Sequence, residues 1–222
     1  METKNIIIIA VIVVIIAIVG VIFATGMLND DSNKDVKTTS FETEFMEGSF
    51  IGKVKLVDDK EKFMHSYKDK KNKITYNIST VDDSEALMDI YYLQGVTNPE
   101  ERNINGNDWN IYFTQAVPGD SNDTDDDETM NIIICQSQAK KQGYLIYVII
   151  DADSKVNSTM NTYGESYTDF VEPLLKSVTL KESKHVPKIY EEFGLTEDQF
   201  DEQMDLVKQV KAGNTSALEA TG

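Results

Sequence analysis

The chain has 222 residues, with 38 Asp and Glu against 21 Lys and Arg and a net charge of -17. A surface this negative repels phosphate backbones, which excludes nucleic acid as a partner, while basic or metal-ion partners are allowed without being implied. Cys135 is the only cysteine, so no intrachain disulfide forms, and a lone Cys inside an apolar strand pattern reads as a small buried hydrophobe before it reads as a reactive thiol.

The first element is an apolar run from Ile6 to Leu28, free of charge and Pro and broken by a polar side chain only at Thr25. At ~1.5 Å per residue it covers the ~30 Å hydrocarbon core of a bilayer, and a helix satisfies its own backbone there. Residues 1–28 are therefore expected to be a transmembrane signal-anchor. A cleaved signal peptide would have a shorter core and a small-x-small site, which Ala24, Thr25 and Gly26 supply poorly. Lys4 and the α-amino group on one side nearly balance Lys34 and Lys37 on the other. A short leader before an apolar run acts as an export signal, so the expected location is the cell membrane with the C-terminal domain outside the cytoplasm. Glycosylation sequons begin at Asn77, Asn122, Asn157 and Asn214, close to what the Asn, Ser and Thr content gives by chance.

Residues 29–40 are polar and without apolar period, a flexible tether that keeps the remainder of the chain on the order of 20 Å from the membrane. A globular domain is expected over 41–182. It opens with Phe41, Phe45, Phe50, Ile51, Val54 and Leu56, where Gly48 and Gly52 mark turns or bulges in a first strand region. Asp58-Asp59-Lys60-Glu61-Lys62 reads as a loop. His65 has no second ligand at metal spacing, and the other histidine, His185, lies far along the chain. Tyr67 to Lys73 is a basic hairpin tip leading into a strand from Ile74 to Ser79.

Asp82-Asp83-Ser84-Glu85 predicts a helix start, with Asp82 accepting from the orphan amides and Glu85 reaching back. Leu87, Ile90 and Tyr91 follow at helical spacing, and Gly95 ends the helix. Glu85 and Asp89 lie one turn apart, an arrangement that can do acid/base work but in so acidic a chain reads as a solvated face. Asn105-Gly106 is a type I′ hairpin signal, followed by a strand in which Trp109, Ile111 and Phe113 alternate with Asn110, Tyr112 and Thr114. The acidic run from Gly119 to Thr129 invites calcium, yet it lacks the EF-hand Gly and closing Glu and reads as a strand connection.

Asn131 to Ser137 and Tyr144 to Ala152 pair as a hairpin whose second strand is apolar at both parities, so it should be central and covered on both faces. Tyr163, Tyr167, Phe170, Val171, Leu174 and Leu175 form the stripe of a packed helix, with a kink or break at Pro173. Ser177 to Lys181 comes next as an edge strand. Over 183–222 a helical pair and a disordered tail are expected: Val186-Pro187 starts a short helix, Gly194 stops it, and Leu195 to Phe200 carries a capping box with a hydrophobic staple. The last helix has a thin apolar stripe of Phe200, Met204, Val207 and Val210.

The order strand, hairpin, central strand, helix and short final strand, with Phe170 to Leu175 running directly into Lys176-Ser177-Val178-Thr179-Leu180, resembles the PsbP/Mog1-like α/β/α domains over about Phe41 to Lys181. The resemblance implies a twisted antiparallel sheet with helices on both faces, used as a binding or assembly module, and brings no catalytic motif with it.

The expected fold class is thus α+β: an N-terminal transmembrane helix, a twisted antiparallel sheet with helices on both faces, and two C-terminal helices. The expected function is a membrane-anchored extracytoplasmic binding or scaffold module without catalytic residues, metal or cofactor, with Phe200, Met204 and Val207 meeting a protein partner in a membrane or envelope complex. A second reading is a small-molecule sensor or carrier whose cavity is lined by Tyr91, Tyr92, Trp109 and Tyr147. A third is a metal-dependent hydrolase built on Asp82, Glu85, Asp89 or the carboxylates of the Gly119 to Thr129 run.

Overall fold

The computed structural model describes residues 38–116, 129–139, 141–156, 164 and 166–214. The expected membrane span, most of the tether, most of the acidic run and the C-terminal tail lie outside the described residues. Among the described residues no helix is long and apolar enough to cross a membrane.

The fold is α+β, with every strand pair antiparallel. A seven-stranded sheet runs in the order β3-β4-β5-β9-β8-β7-β6, built from β3 (Lys55–Glu61), β4 (Met64–Asp69), β5 (Ile74–Val81), β6 (Glu100–Ile104), β7 (Asn107–Ala116), β8 (Met130–Ala139) and β9 (Gln142–Ile150). β9 is central, and all of its residues are buried. Its even-numbered side chains from Tyr144 to Ile150 enter one core, and Leu145, Tyr147 and Ile149 enter the other, as period-two geometry requires of a strand covered on both faces.

The expectation of one sheet is corrected by a second, three-stranded sheet, in which β2 (Met46–Ile51) lies between β1 (Thr38–Glu42) and β10 (Thr179–Leu180). It covers one face of the large sheet together with a π-helical turn, Tyr167–Val171, that runs into α2, Glu172–Ser177. Pro173 stands in the first turn of α2, where its missing N–H is tolerated, and the segment divides there into the π turn and the α-helix, the break expected at this proline. Val171, Leu174 and Leu175 are fully buried, each stabilising the fold by roughly 2 kcal/mol.

Among the described residues, the other face is covered by helices: α1 (Ser84–Tyr92), α3 (Ile189–Glu192) and α4 (Glu197–Lys211). α1 is capped by Asp83, whose carboxylate accepts from the Ala86 amide at 2.9 Å. The expectation that Asp82 caps it is corrected. Asp82 turns to the C-terminal segment, where it accepts from the Ile189 amide at 2.8 Å and pairs with Lys188 at 3.1 Å. In α4, Thr196 and Gln199 form the expected capping box, at 3.3 Å from the Gln199 amide to the Thr196 hydroxyl and 3.0 Å from the Thr196 amide to the Gln199 side chain.

The charged run over 58–62, expected as a loop, lies mainly in strand β3, at the edge of the large sheet and broken by register shifts on both sides of Asp58. Charge and bulges on an edge strand block pairing with other chains, so the same residues that look like a loop in sequence serve an edge. At the β6–β7 turn, Asn105 and Gly106 both have positive φ, 53° and 76°, the type I′ geometry their sequence announces.

Candidate functional site

β5 carries a strip of small polar side chains on the face that the helices cover. Ile74, Tyr76 and Ile78 point into the core under the small sheet, which places Thr75 and Asn77 on the opposite face. Register sets Asn77 between Ser66 of β4 and Tyr147 of β9, and Thr75 between Lys68 and Ile149. Thr75 is 1% exposed and Asn77 2%. Nevertheless the Thr75 hydroxyl and the Asn77 Oδ1 have no hydrogen-bond partner among the described residues. Each such buried orphan costs about 1–3 kcal/mol, a penalty borne also by the Tyr76 hydroxyl and the Trp109 indole N–H in the opposite core.

Tyr147, the cross-strand neighbour of Asn77, sends its hydroxyl to that of Tyr91, from α1, at 3.3 Å. Burial pushes the Tyr91 phenol up to about 12 and the Tyr147 phenol well above its ordinary value, so both stay neutral. The charge of Glu192, at the end of α3, adds to the upward push on both phenols. Its own carboxyl is raised by burial first and then by the negative charges of Glu61 and Glu191. The strip therefore presents an amide oxygen that accepts and hydroxyls that both accept and donate, with the carboxylate of Glu192, an exposed residue, acting on the phenols only through its charge. The unpartnered Asn77 oxygen calls for a donor, and the neutral hydroxyls add both kinds of hydrogen bond, which suits a neutral donor-bearing molecule.

Of the residues expected to line a cavity, Tyr91 and Tyr147 are brought together. Tyr92 is half-buried, with the Lys211 ammonium 5.4 Å from its ring centre. Trp109 is not part of the group: it lies in the core on the other side of the sheet, with Cys135, Tyr144 and Tyr167. The register of β7, β8 and β9 decides this, since it aligns Tyr112 with Ile134 and Tyr147 and sends Trp109 to the opposite face.

Phe200, Met204 and Val207, expected to meet a protein partner, lie on the side of α4 that packs on the domain. Phe200 and Val207 are buried, and Phe200 and Met204 belong to the helix-side core. The apolar stripe of α4 faces its own domain, with α1 as its main neighbour.

Sequence reasoning missed Thr75, Asn77 and Glu192. The available signal was the alternation of Ile74, Tyr76 and Ile78 with polar residues, which reads as a solvated face unless helices are known to cover it. The sequon at Asn77 is also explained, because a side chain 2% exposed is closed to a glycan in the folded protein. Asn214, by contrast, is exposed.

The remaining candidates are scattered. No group of three or more His, Cys, Asp or Glu residues suited to a metal ion occurs among the described residues. Asp89 pairs with Lys211 at 2.5 Å, and His185 Nδ1 lies 2.7 Å from Glu44. His65 is half-buried against Phe45, with ring centres 5.9 Å apart. Burial pushes the Cys135 thiol far up, which removes its nucleophilic form. No family model matches the chain, and no curated protein matches it.

Proposed function

We propose that this chain is a membrane-anchored extracytoplasmic binding module without catalytic activity, which holds a small neutral donor-bearing molecule against Asn77, Tyr147 and Tyr91. The observation that carries the reading is the pair of buried, unpartnered oxygens on Thr75 and Asn77, on the sheet face that also carries Tyr147 and its bond to Tyr91. A sequence shaped only for stability would place apolar groups there, because removing an orphaned polar atom is neutral or favourable. The membrane anchor is read from Ile6 to Leu28, and the outside placement from the short leader before it. The run from α2 into β10 supports the PsbP-like reading and carries no functional residue with it. A scaffold built on Phe200, Met204 and Val207 loses support, since those side chains serve the domain's own core.

Native mass spectrometry of the full chain, released from mild detergent, tests this. Retention of a small molecule by the wild type, its loss in Asn77→Leu, and a gain of about 1 kcal/mol in stability in that variant are the expected results. A bare wild-type mass together with a more stable Asn77→Leu would reduce the strip to an unused polar defect.

A further inference from the structure

We infer that the end of the domain nearest the tether is a docking surface for anionic lipid headgroups, an inference that rests on the membrane-anchored reading. Residue 38 opens β1 opposite Ile51, and the Thr39 hydroxyl donates to the Gly52 carbonyl at 2.7 Å and accepts from the Val54 amide at 3.1 Å. A Cβ at Gly52 would lie 3.2 Å from Asp69 Oδ2, and Asp69 holds the β4–β5 turn by accepting from the amides of Lys71 and Asn72 at 3.0 and 3.2 Å. The same turn is tied to the segment after β9: Ser154 Oγ donates to the Asn72 carbonyl at 2.5 Å, and Lys73 pairs with Asp153. Lys55 stands opposite Lys68 across the first two strands of the large sheet.

These contacts gather Lys53, Lys55, Lys68, Lys70, Lys71 and Lys155 at one end of the molecule. Lys53, Lys55, Lys70, Lys71 and Lys155 are exposed or half-exposed, Lys68 is partly so, and none forms an ion pair among the described residues. In a chain of net charge -17, six lysines without an ion pair among the described residues make a local basic patch, with Asp151 and Asp153 as its described acidic neighbours. Leu56, 48% exposed, adds an apolar side chain beside Lys55. The acidic run leaves the same end of the large sheet, but from Ala116 and Met130 of β7 and β8. Those two strands lie two and three places from β5 in the sheet, about 10–15 Å.

The occupant is set by chain length. Asn29 to Lys37 reach at most about 30 Å when fully extended, so the end that carries Thr38 is the one the tether keeps at the bilayer. Polybasic surfaces next to an anchor are attracted to anionic leaflets within a Debye length. Together these orient the domain with β1 and the β4–β5 turn toward the lipid and the α4 side away from it.

The test uses the full chain in nanodiscs of phosphatidylcholine alone or with about one-third phosphatidylglycerol, in the range where a leaflet potential attracts polybasic segments. Lysines are labelled with an amine-reactive reagent and read by peptide mass. Severalfold slower labelling of Lys53, Lys55, Lys70 and Lys71 in anionic discs is expected, with Lys184 at the opposite end unchanged and the protection lost at high salt. Lys70→Glu/Lys71→Glu should restore fast labelling at Lys53 and Lys55. Equal labelling in neutral and anionic discs overturns the docking surface, and so does equal protection by inorganic phosphate added to neutral discs. Failure of the chain to enter discs at all overturns the anchor instead, so the two failures are distinguishable.

Discussion

Gly143 and Ser84 touch so closely that a Cβ on the glycine would lie 2.3 Å from the Cβ of the serine and 2.6 Å from its backbone nitrogen. The first turn of α1 thus rests directly on β9. Ser84 is also the hub of a buried network: its hydroxyl donates to Gln138 at 2.8 Å and accepts from Gln136 at 2.9 Å, and its amide donates to Gln138 at 3.0 Å. Backbone cannot yield as a flexible side chain would, so Gly143→Ala should destabilise the protein by about 3 kcal/mol. Urea unfolding followed by the fluorescence of Trp109, the single tryptophan, measures it. A loss within experimental error would show that α1 can lift off the sheet.

Phe200 and Val207 fasten α4 to the domain, so their removal is a matter of stability. Phe200→Ala should cost about 3 kcal/mol in the same measurement. Exposed Asp201, one position along the same helix, should tolerate Ala within about 0.5 kcal/mol. If Phe200→Ala left stability intact and instead released a bound protein, the stripe would be a contact surface after all.

Asn105 combines a left-handed backbone with a side-chain bond across the domain. Its φ is 53°, and its Nδ2 donates to the Val178 carbonyl at 2.9 Å, tying the β6–β7 turn to the link between α2 and β10. Asn105→Gly keeps the turn and loses the bond, for a cost of about 1 kcal/mol; Asn105→Ala loses both and should cost about 2 kcal/mol. Equal losses in the two variants would mean that the turn conformation contributes nothing.

Glu44 holds the segment that leads to α3. Its carboxylate accepts from the Lys184 amide at 2.8 Å and meets His185 at 2.7 Å. The bond with His185 first, and that from Lys184 second, lower its pKa from 4.5 to about 2. A carboxyl lowered on folding adds stability above its unfolded value and loses it as pH falls through its folded value, so this clamp should hold down to about pH 4.5 and release between there and about 2. Carbon-detected NMR titration of the Glu44 carboxyl checks the midpoint. Amide exchange at Lys184, compared with Glu44→Gln, checks the release; a midpoint near 4.5 would refute the clamp.

Local chemistry was readable wherever neighbours in sequence decide the outcome. The two-sided apolarity of Tyr144 to Ile150, the φ demands of Asn105-Gly106 and the Thr196–Gln199 capping box all act within a few residues, and each stands where its pattern puts it. What escaped depends on pairing between distant segments. The charges of Asp58 to Glu61 suit a loop and an edge strand equally, and only the register with β4 chooses between them. The face of Trp109 is decided by its alignment through β8 with β9, and the burial of Asn77 by helices that lie after it in the chain. The split into two sheets is of the same kind, because nothing near Met46 announces that its partner is Leu180.

That last pairing governs how the protein is made. β2 needs β10 on one side, and the Ser177 hydroxyl, 128 residues away in sequence, receives the Ser49 amide at 2.9 Å. While the chain emerges from the ribosome, or passes through a membrane, the strand synthesised early must wait with an open edge until nearly the whole domain has arrived. Contacts of such separation form slowly, and an unpaired edge invites other chains. The short β10 is therefore the latch of folding. Substitutions such as Val178→Asp, which spoil its delivery, should appear first as aggregated or degraded nascent protein, before any lowered melting temperature is seen in the molecules that do close.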